Sequence, residues 1–293
     1  MDILQLQREL KDRRLGARLG RDFSQIAIQT ILSIIAITWV LPLVWMVSTS
    51  LKVDAQVMRF PPIWIPHPID WANYPEALAF IPFFLYMRNT LIVCAGCVLG
   101  ALFSCPAVAY GLSRIQWPGR DVLFIITVAT MMLPFQVIML PLFVFFRKLG
   151  WINTWLPLIV PSFFGSAFYI FLLRQFFMTI PMELSDAARI DGASEFGIFA
   201  RIILPLTKPA VAVIILFQFL SQWSNFMGPL IYLNESKLYT ISLGLQQYSW
   251  EHNTEWAYLM AASTLVTLPV IIIFLFTQHT FIEGITLTGL KGV

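Results

Sequence analysis

Long apolar runs, separated by shorter polar stretches, dominate the pattern of this chain. A helix that crosses a membrane needs about 20 mainly apolar residues, and six runs reach that length. They are residues 26–51, 85–112, 121–146, 154–178, 208–232 and 257–280. Prolines interrupt the fourth and fifth runs, which is tolerated where neighbouring helices satisfy the freed carbonyl groups. The pattern therefore predicts an all-α membrane protein with six transmembrane helices.

The composition supports this class. Hydrophobic residues make up 58% and charged residues 12% of the 293 residues, whereas a soluble domain is about one quarter charged. So few charges cannot cover a surface that faces water. The first run is too long for the core of a signal peptide, which spans roughly 7–15 residues, so we expect it to be retained as a membrane span. No basic block typical of nucleic-acid binding is evident, and no nucleic-acid partner is expected.

The positions of Lys and Arg predict the orientation, because cytoplasmic loops are enriched in these residues. With the N-terminus in the cytoplasm, thirteen of the 19 lie inside. The thirteen are Arg8, Lys11, Arg13, Arg14, Arg18, Arg21, Arg114, Arg120, Arg174, Arg189, Arg201, Lys208 and Lys291. The six outside are Lys52, Arg59, Arg88, Arg147, Lys148 and Lys237. Both termini are therefore predicted to be cytoplasmic.

Residues 1–25 form a basic N-terminal segment ahead of the predicted membrane domain, residues 26–293. Ile3, Leu6 and Leu10 recur at helical spacing among basic residues, which is typical of a helix on the inner membrane surface. A partly ordered basic tail that only fixes the topology explains the same residues. The sequence leaves both interpretations open.

One charged stretch, residues 185–206, lies between the fourth and fifth runs on the predicted cytoplasmic side. Positions i, i+3, i+4 and i+7 of its first helix share one face. They are Leu184, Ala187, Ala188 and Asp191. Gly192 is expected to end this helix in the left-handed conformation, and Ser194 to cap a second short helix. Because a helix this short is marginal in water, we expect it to dock on a partner that approaches the alanines closely. A loop that rests on its own bundle is the alternative.

The spacing within this stretch resembles the cytoplasmic signature of the permease subunits of ABC importers. That signature reads Glu-Ala-Ala, three residues, Gly, nine residues, Ile-x-Leu-Pro. The chain has Asp186-Ala187-Ala188, Gly192 and Ile202-Ile203-Leu204-Pro205 at the same spacings. Asp186 stands where the family usually has Glu, which keeps the charge and shortens the reach by one methylene.

Further stretches resemble the carbohydrate-importing, maltose-type branch of that family. They include Arg88-Asn89-Thr90-Leu91, Ala109-Tyr110-Gly111-Leu112-Ser113-Arg114, Met132-Leu133-Pro134-Phe135-Gln136-Val137 and Trp223-Ser224-Asn225-Phe226. The resemblance implies a permease subunit in the bacterial cytoplasmic (inner) membrane that forms, with a second permease, the path for a carbohydrate such as an oligosaccharide or polyol. It also implies an extracytoplasmic solute-binding protein that delivers the solute, and two separate ATPase subunits that bind ATP and Mg²⁺. Coupling to those subunits is expected at Asp186, Ala187, Ala188, Asp191, Gly192, Leu204 and Pro205.

The residues themselves give no sign of an enzyme. A phosphate-binding loop needs Gly, four residues, then Gly-Lys-Ser/Thr, whereas Gly284 and Gly289 are followed by Leu290. Cys94 and Cys97 lie within the second run, where buried cysteines act as small apolar residues. The three histidines are isolated in the sequence, without the clustering of a metal site. We expect no nucleotide, metal or other cofactor on this chain.

Four polar residues in the fifth run recur at i, i+3, i+4 and i+7 and form one stripe near mid-membrane. They are Gln218, Ser221, Gln222 and Asn225. Polar groups in lipid are costly unless they face other helices or a water-filled path. The stripe is predicted to line the solute path, with Trp223 and Gln136 as further candidates. Hydrogen bonding between helices without transport is the alternative.

Two other classes fit an apolar chain of this length. A secondary transporter would favour ionisable residues at mid-membrane or an inverted repeat, and neither is visible. A membrane-embedded enzyme would need converging acid, base or metal-binding residues, and the sequence shows none. An ABC importer permease is therefore our interpretation, with a secondary transporter of a polar solute as the alternative.

Overall fold

The computed structural model describes residues 3–249 and 254–289. All of the secondary-structure elements in these residues that are longer than an isolated bridge are helices or helical turns. Within these residues, the one β-type contact is an isolated bridge between Ser249 and Thr254. Lys291, which was counted above for the orientation, lies outside the described residues. The described fold is thus the predicted all-α class.

The helices, with the bounds that the structure gives them, vary from single turns to spans of many turns. They are α1 Ile3–Ser50, α2 Asp54–Val57, α3 Asn73–Phe80, α4 Phe83–Ser113, α5 Arg120–Ala129, α6 Phe135–Lys148, α7 Leu156–Ile159, α8 Ala167–Thr179, α9 Glu183–Ile190, α10 Glu195–Ile198, α11 Leu204–Leu206, α12 Lys208–Trp223, α13 Met227–Tyr232, α14 Ile241–Leu245 and α15 Trp256–Gly289. Short 3₁₀ turns cover Thr130–Met132, Val160–Phe164, Ser236–Leu238 and Gln246–Tyr248, and one π-helical turn covers Phe199–Ile203.

Four segments are long and apolar enough to cross a membrane as they stand. They are Gln25–Ser50, Phe83–Ser113, Leu156–Thr179 and Trp256–Gln278. They correspond to the predicted first, second, fourth and sixth spans. The helix α1 is continuous from the basic N-terminal segment into the first span, so the chain enters that span without a break.

The predicted third and fifth spans are bent. Arg120–Met132 and Phe135–Lys148 meet at 99°, and Glu195–Leu206 and Lys208–Trp223 meet at 78°. The first bend follows from Pro134, because the residue before a proline is pushed out of the helical region; Leu133 has φ −82° and ψ 111°. Six spans are present if each bent pair counts as one span, and four if neither does. Only the prolines of the fourth and fifth runs were considered above, so the bend of the third span at Pro134 was not predicted.

The long helix α4 is at the centre of the described bundle and packs against α8, α12 and the turn Val160–Phe164. Two glycines make the last contact close. A Cβ on Gly96 would lie 2.8 Å from Ile159 Cγ2, and a Cβ on Gly100 would lie 2.8 Å from the Phe163 ring and 3.0 Å from the Phe163 backbone nitrogen. A larger residue at Gly100 would have to displace the backbone of the turn, whereas at Gly96 the Ile159 side chain would have to move.

The loops gather at two opposite ends of the bundle. At one end, the residues that follow α4 contact the residues that follow α8, through Arg114 and Ser185. At the other end, Asn153 donates to Glu235 over 2.7 Å, and Tyr248 donates to the Ala77 carbonyl over 2.7 Å. A chain that crosses a membrane back and forth must have its loops at two opposite ends, and the described loops meet this requirement.

Candidate functional site

The charged stretch forms the helix that its spacing predicts, and Gly192 ends it. Gly192 has φ 81°, the left-handed conformation that costs an L-residue about 1–2 kcal/mol. Its N–H donates to the Arg189 carbonyl over 3.0 Å, and the Ala193 N–H donates to the Ala188 carbonyl over 2.9 Å. These two bonds form a complete Schellman motif, so the stop at Gly192 is confirmed in detail.

The second predicted cap is also present. Ser194 Oγ accepts the N–H of Gly197 over 3.2 Å, at the start of α10. Ile198 and Ile203 then become fully buried in the core, whereas Phe196 stays 75% exposed. Residues 183–206 therefore form a helical hairpin at one end of the bundle, which we call the cytoplasmic hairpin after the side of the membrane that the sequence predicts for it. Leu204 and Pro205 form the single turn α11, just before the 78° bend into α12.

The two alanines of the cytoplasmic hairpin do not share one environment. Ala188 is 8% exposed and Ser185 is fully buried, because both lie against the chain's own core. Leu184 and Ala187 are exposed, and Ile190 is 87% exposed. The side of α9 that carries Ser185 and Ala188 faces the core. The four residues of the predicted face are therefore not all on the outside of the hairpin. The exposed part consists of Leu184, Ala187 and Asp191, and the inclusion of Ala188 in an outward face was wrong.

Ion pairs connect the two short helices of the hairpin. Arg189 donates to Asp186 and to Glu195, each over 2.7 Å. Tyr110 Oη, on α4, donates to Glu195 over 2.8 Å. The hydrogen bond to Glu195 raises the pKa of the Arg189 guanidinium above its ordinary value, so this residue stays cationic.

A buried arginine, Arg114, attaches the hairpin to the end of α4. Its Nη1 donates to the carbonyls of Phe177 and Ile180 over 3.3 and 2.6 Å. Its Nη2 donates to the Pro181 carbonyl and to Ser185 Oγ over 2.9 and 2.8 Å. The carbonyls lie in the last turn of α8 and in the two residues that follow Thr179, where unpaired acceptors and the helix dipole favour a cation. Burial lowers the pKa of Arg114, but arginine cannot be deprotonated in proteins.

Sequence reasoning missed this role. Arg114 was used above as a charge that sets the topology and as the last residue of a stretch that resembles the family. Apart from that resemblance, the one signal for a further role was its place directly after a long apolar run, two residues after Leu112. That signal could not name the carbonyls of α8 as partners, because they lie more than sixty residues away in the sequence.

The stripe of the fifth span borders a cavity of about 630 Å³. Ser221, Gln222 and Asn225 supply most of its polar side chains, and Asn225 Nδ2 donates to Gln222 Oε1 over 3.1 Å. The aromatic residues of its wall come from three separate parts of the chain. They are Phe135, Phe145, Phe146, Trp151, Phe164 and Tyr232. No charged side chain is among its lining residues in the part of the chain that the structure describes.

The other predicted lining residues lie elsewhere. Gln218 is 7% exposed and donates to Ser162 Oγ over 3.3 Å, so it joins two helical segments. Trp223 is 4% exposed, stacks on Phe219 and donates its Nε1–H to the Val266 carbonyl. Gln136 is exposed in the first turn of α6, beside the cavity residue Phe135. The structure therefore brings three of the six candidates together at the cavity.

Within the described residues, no group of three or more His, Cys, Asp or Glu side chains could hold a metal ion. Cys94, Cys97 and Cys105 are free and buried. Cys97 contacts the Leu158 carbonyl over 3.2 Å. The cysteines therefore pack in the bundle as small side chains.

Comparison with known proteins identifies the chain. The family model described as binding-protein-dependent transport system inner membrane component matches residues 96–285. The chain belongs to this family. The match includes Arg114, the cytoplasmic hairpin and the polar side of the cavity, so the elements described above lie in the part that defines the family.

Two relatives of this permease align over nearly their whole length. The arabinooligosaccharides transport system permease protein AraQ of Bacillus subtilis (strain 168) is 33% identical over 278 residues, which cover 92% of this chain and 96% of that protein. The sulfoquinovosyl glycerol transport system permease protein SmoH of Agrobacterium fabrum is 30% identical over 261 residues, which cover 89% and 92%. The permease is an inner membrane protein that crosses the membrane several times.

The fold also matches a solved transporter. The crystal structure of a bacterial ABC transporter involved in the import of the acidic polysaccharide alginate contains a chain that superposes with a TM-score of 0.76 and 26% sequence identity. The superposition covers 87% of this permease and 95% of that chain. The described helices thus form the fold of an ABC importer permease.

Proposed function

We propose that this permease is one of two membrane subunits of an ABC importer for a carbohydrate, such as an oligosaccharide or polyol. An extracytoplasmic solute-binding protein delivers the solute, and two ATPase subunits bind ATP and Mg²⁺ and drive the cycle. The observation that carries the proposal is the cytoplasmic hairpin, with its glycine stop and its outward face of Leu184, Ala187 and Asp191. The proteins named above transport arabinooligosaccharides, sulfoquinovosyl glycerol and alginate according to their names, which supports a carbohydrate as the solute.

The proposed topology has six spans, with each bent pair counted as one, and both termini in the cytoplasm. It rests on the excess of Lys and Arg at the end that carries the cytoplasmic hairpin. Residues 1–25 form a cytoplasmic segment, and residues 26–293 form the transmembrane domain. The polar residues Asn153, Glu235 and Lys237 then lie at the extracytoplasmic end, where the solute-binding protein docks.

The outward face of the hairpin is the proposed contact with an ATPase subunit. Ala187 has no side chain beyond Cβ and allows the partner's backbone to approach. Asp186 and Asp191 frame it with negative charge. Ala188, Gly192, Leu204 and Pro205 act from within the hairpin, by packing it on the core and setting its shape.

The cavity beside Ser221, Gln222 and Asn225 is the proposed solute path. A hydroxyl-rich solute loses water on entering and needs replacement partners. Amides suit this purpose because each offers donors and an acceptor without a charge. The uncharged, aromatic wall is suited to a sugar ring, which has apolar faces and polar edges.

Ala187→Trp tests the docking contact. The large ring on the outward face should prevent the ATPase subunit from co-purifying with the tagged permease, while the chain still inserts. Ala79→Trp is the matched control, because Ala79 is an exposed alanine on an eight-residue helix, as Ala187 is, at the opposite end of the bundle. Normal attachment and uptake in Ala187→Trp would refute the docking contact.

A further inference from the structure

The ties between the cytoplasmic hairpin and the rest of the bundle differ in strength. Tyr110 of α4 donates to Glu195 of α10, whose side chain is 44% exposed and whose ion pair with Arg189 links it to α9. Exposed ion pairs contribute little to stability and are screened by salt. Arg114 is 2% exposed, and its guanidinium donates four hydrogen bonds. Separating a buried charge from its partners is strongly unfavourable, so Arg114 is the tie that resists displacement.

The position of Arg114 shows which two elements it joins, the end of α4 and the helix α9. The residue follows the last residue of α4, and Ser185 Oγ, its one side-chain acceptor among the described residues, lies inside α9. The other three partners are carbonyls of the segment that leads from α8 into α9. We propose that Arg114 is a positioning residue for coupling, which holds the docking helix α9 to the end of α4 so that both move as one body. The inference rests on the proposed function of α9 as the contact with the ATPase subunit.

A movement of α4 would reach the cavity directly. Gly96 and Gly100 of α4 lie in close contact with Ile159 and Phe163, and Ser104 Oγ donates to the Ser162 carbonyl over 3.0 Å. The turn at Val160–Phe164 supplies part of the cavity wall. Packed side chains and hydrogen bonds that join rigid elements are the physical means by which distant sites are coupled. Arg114 therefore stands at the start of an unbroken series of contacts from the hairpin to the cavity.

A second arginine at the same end provides a matched control. Arg174, on α8, donates its Nε–H to the Leu112 carbonyl of α4 over 3.0 Å. It also lies over the Phe124 ring and within 3.5 Å of Asp121. Arg174 thus ties α8 to α4 as Arg114 does, but none of its hydrogen bonds reaches the cytoplasmic hairpin. Loss of Arg174 should weaken the bundle without freeing α9.

The test uses the complete importer, reconstituted in proteoliposomes with its binding protein and ATPase subunits. Three quantities are measured: co-purification of the ATPase subunit, ATP hydrolysis, and solute taken up per ATP. In Arg114→Gln the outward face of α9 is unchanged, so we expect attachment and hydrolysis to persist. Solute per ATP should fall by about tenfold, within the range of typical coupling effects. In Arg114→Lys the solute taken up per ATP should fall by less, and in Arg174→Gln it should equal the wild-type value.

Ser185→Ala gives a milder version of the test, because it removes only the bond to α9 and leaves the carbonyl partners in place. Solute per ATP should fall by about two- to fivefold in this variant, with a smaller fall in melting temperature than in Arg114→Gln, because one buried donor of Arg114 loses its partner and the other three bonds remain. If the Arg114→Gln protein does not insert into the membrane, the Ser185→Ala variant tests the role of Arg114 in its place. An unchanged ratio in Ser185→Ala, or an equal fall in Arg114→Gln and Arg174→Gln, would overturn the inference.

The result also separates this inference from the proposed function. If Ala187→Trp leaves attachment and uptake normal, α9 is not the docking helix, and the proposed function fails. If Ala187→Trp prevents attachment but Arg114→Gln keeps its solute per ATP, only the role of Arg114 fails.

Discussion

Two glutamines, one turn apart on α12, should respond differently to the same substitution. Gln222 borders the cavity and accepts from Asn225, whereas Gln218 is buried against Ser162. Replacing each by Leu removes a polar amide of similar size. We expect Gln222→Leu to impair uptake and Gln218→Leu to impair stability.

The structure sets the expected magnitudes. Gln218→Leu loses a hydrogen bond within the bundle, and such bonds between membrane helices contribute about 0.6–1.7 kcal/mol. Gln222→Leu loses a neutral hydrogen bond to the passing solute, which is worth about 0.5–1.5 kcal/mol. The latter corresponds to roughly two- to tenfold in uptake rate. The bond between Asn225 and Gln222 is also lost, but Asn225 keeps its contact with the Gly228 N–H.

The assay combines thermal melting of the purified importer with uptake per folded molecule. Gln218→Leu should lower the melting temperature and retain most of its uptake per folded molecule. Gln222→Leu should show the opposite pattern, with normal ATPase attachment. A lowered melting temperature with full uptake in Gln222→Leu would refute a role of this residue in the solute path and leave packing as its role.

Two further predictions concern packing and topology. In the melting assay, Gly100→Ala should destabilise the bundle by about 1–3 kcal/mol, because the new Cβ meets the Phe163 backbone. Gly111→Ala, on the same helix, is the control. It should be neutral or stabilising, because a Cβ there meets nothing within 4 Å. A cysteine at Ile190 should resist an impermeant thiol reagent added outside, whereas one at the exposed His67 should react; rapid labelling of residue 190 would contradict the orientation, and the buried natural cysteines give little background.

The sequence was most informative where local rules act alone. The glycine stop at Gly192 and the cap at Ser194 depend on backbone conformation and on neighbours within a few residues, so their spacing predicted them correctly. The apolar runs likewise marked the spans, because length and composition are what a membrane requires. The bend at Pro134 was visible in the sequence as a proline, but its angle of 99° depends on what the two halves pack against.

The sequence was less informative where the partner of a side chain decides its role. A helical wheel placed Ala187 and Ala188 on one face, but it could not show that the core covers only Ala188. The helical wheel also grouped Gln218 with Gln222. In the structure Gln218 contacts Ser162, whereas Gln222, one turn further along α12, borders the cavity. The buried contacts of Arg114 depend on α8, which the position of Arg114 in the chain does not reveal.

The central claim is that this permease moves its solute only when separate ATPase subunits act on it. The most direct measurement is uptake of a carbohydrate into proteoliposomes that contain the permease pair, with the solute-binding protein outside. We predict uptake that requires the ATPase subunits and MgATP and that is unaffected by collapse of the ion gradients. Uptake by the permease pair without ATPase subunits, driven by a proton or sodium gradient, would contradict the account and indicate a secondary transporter.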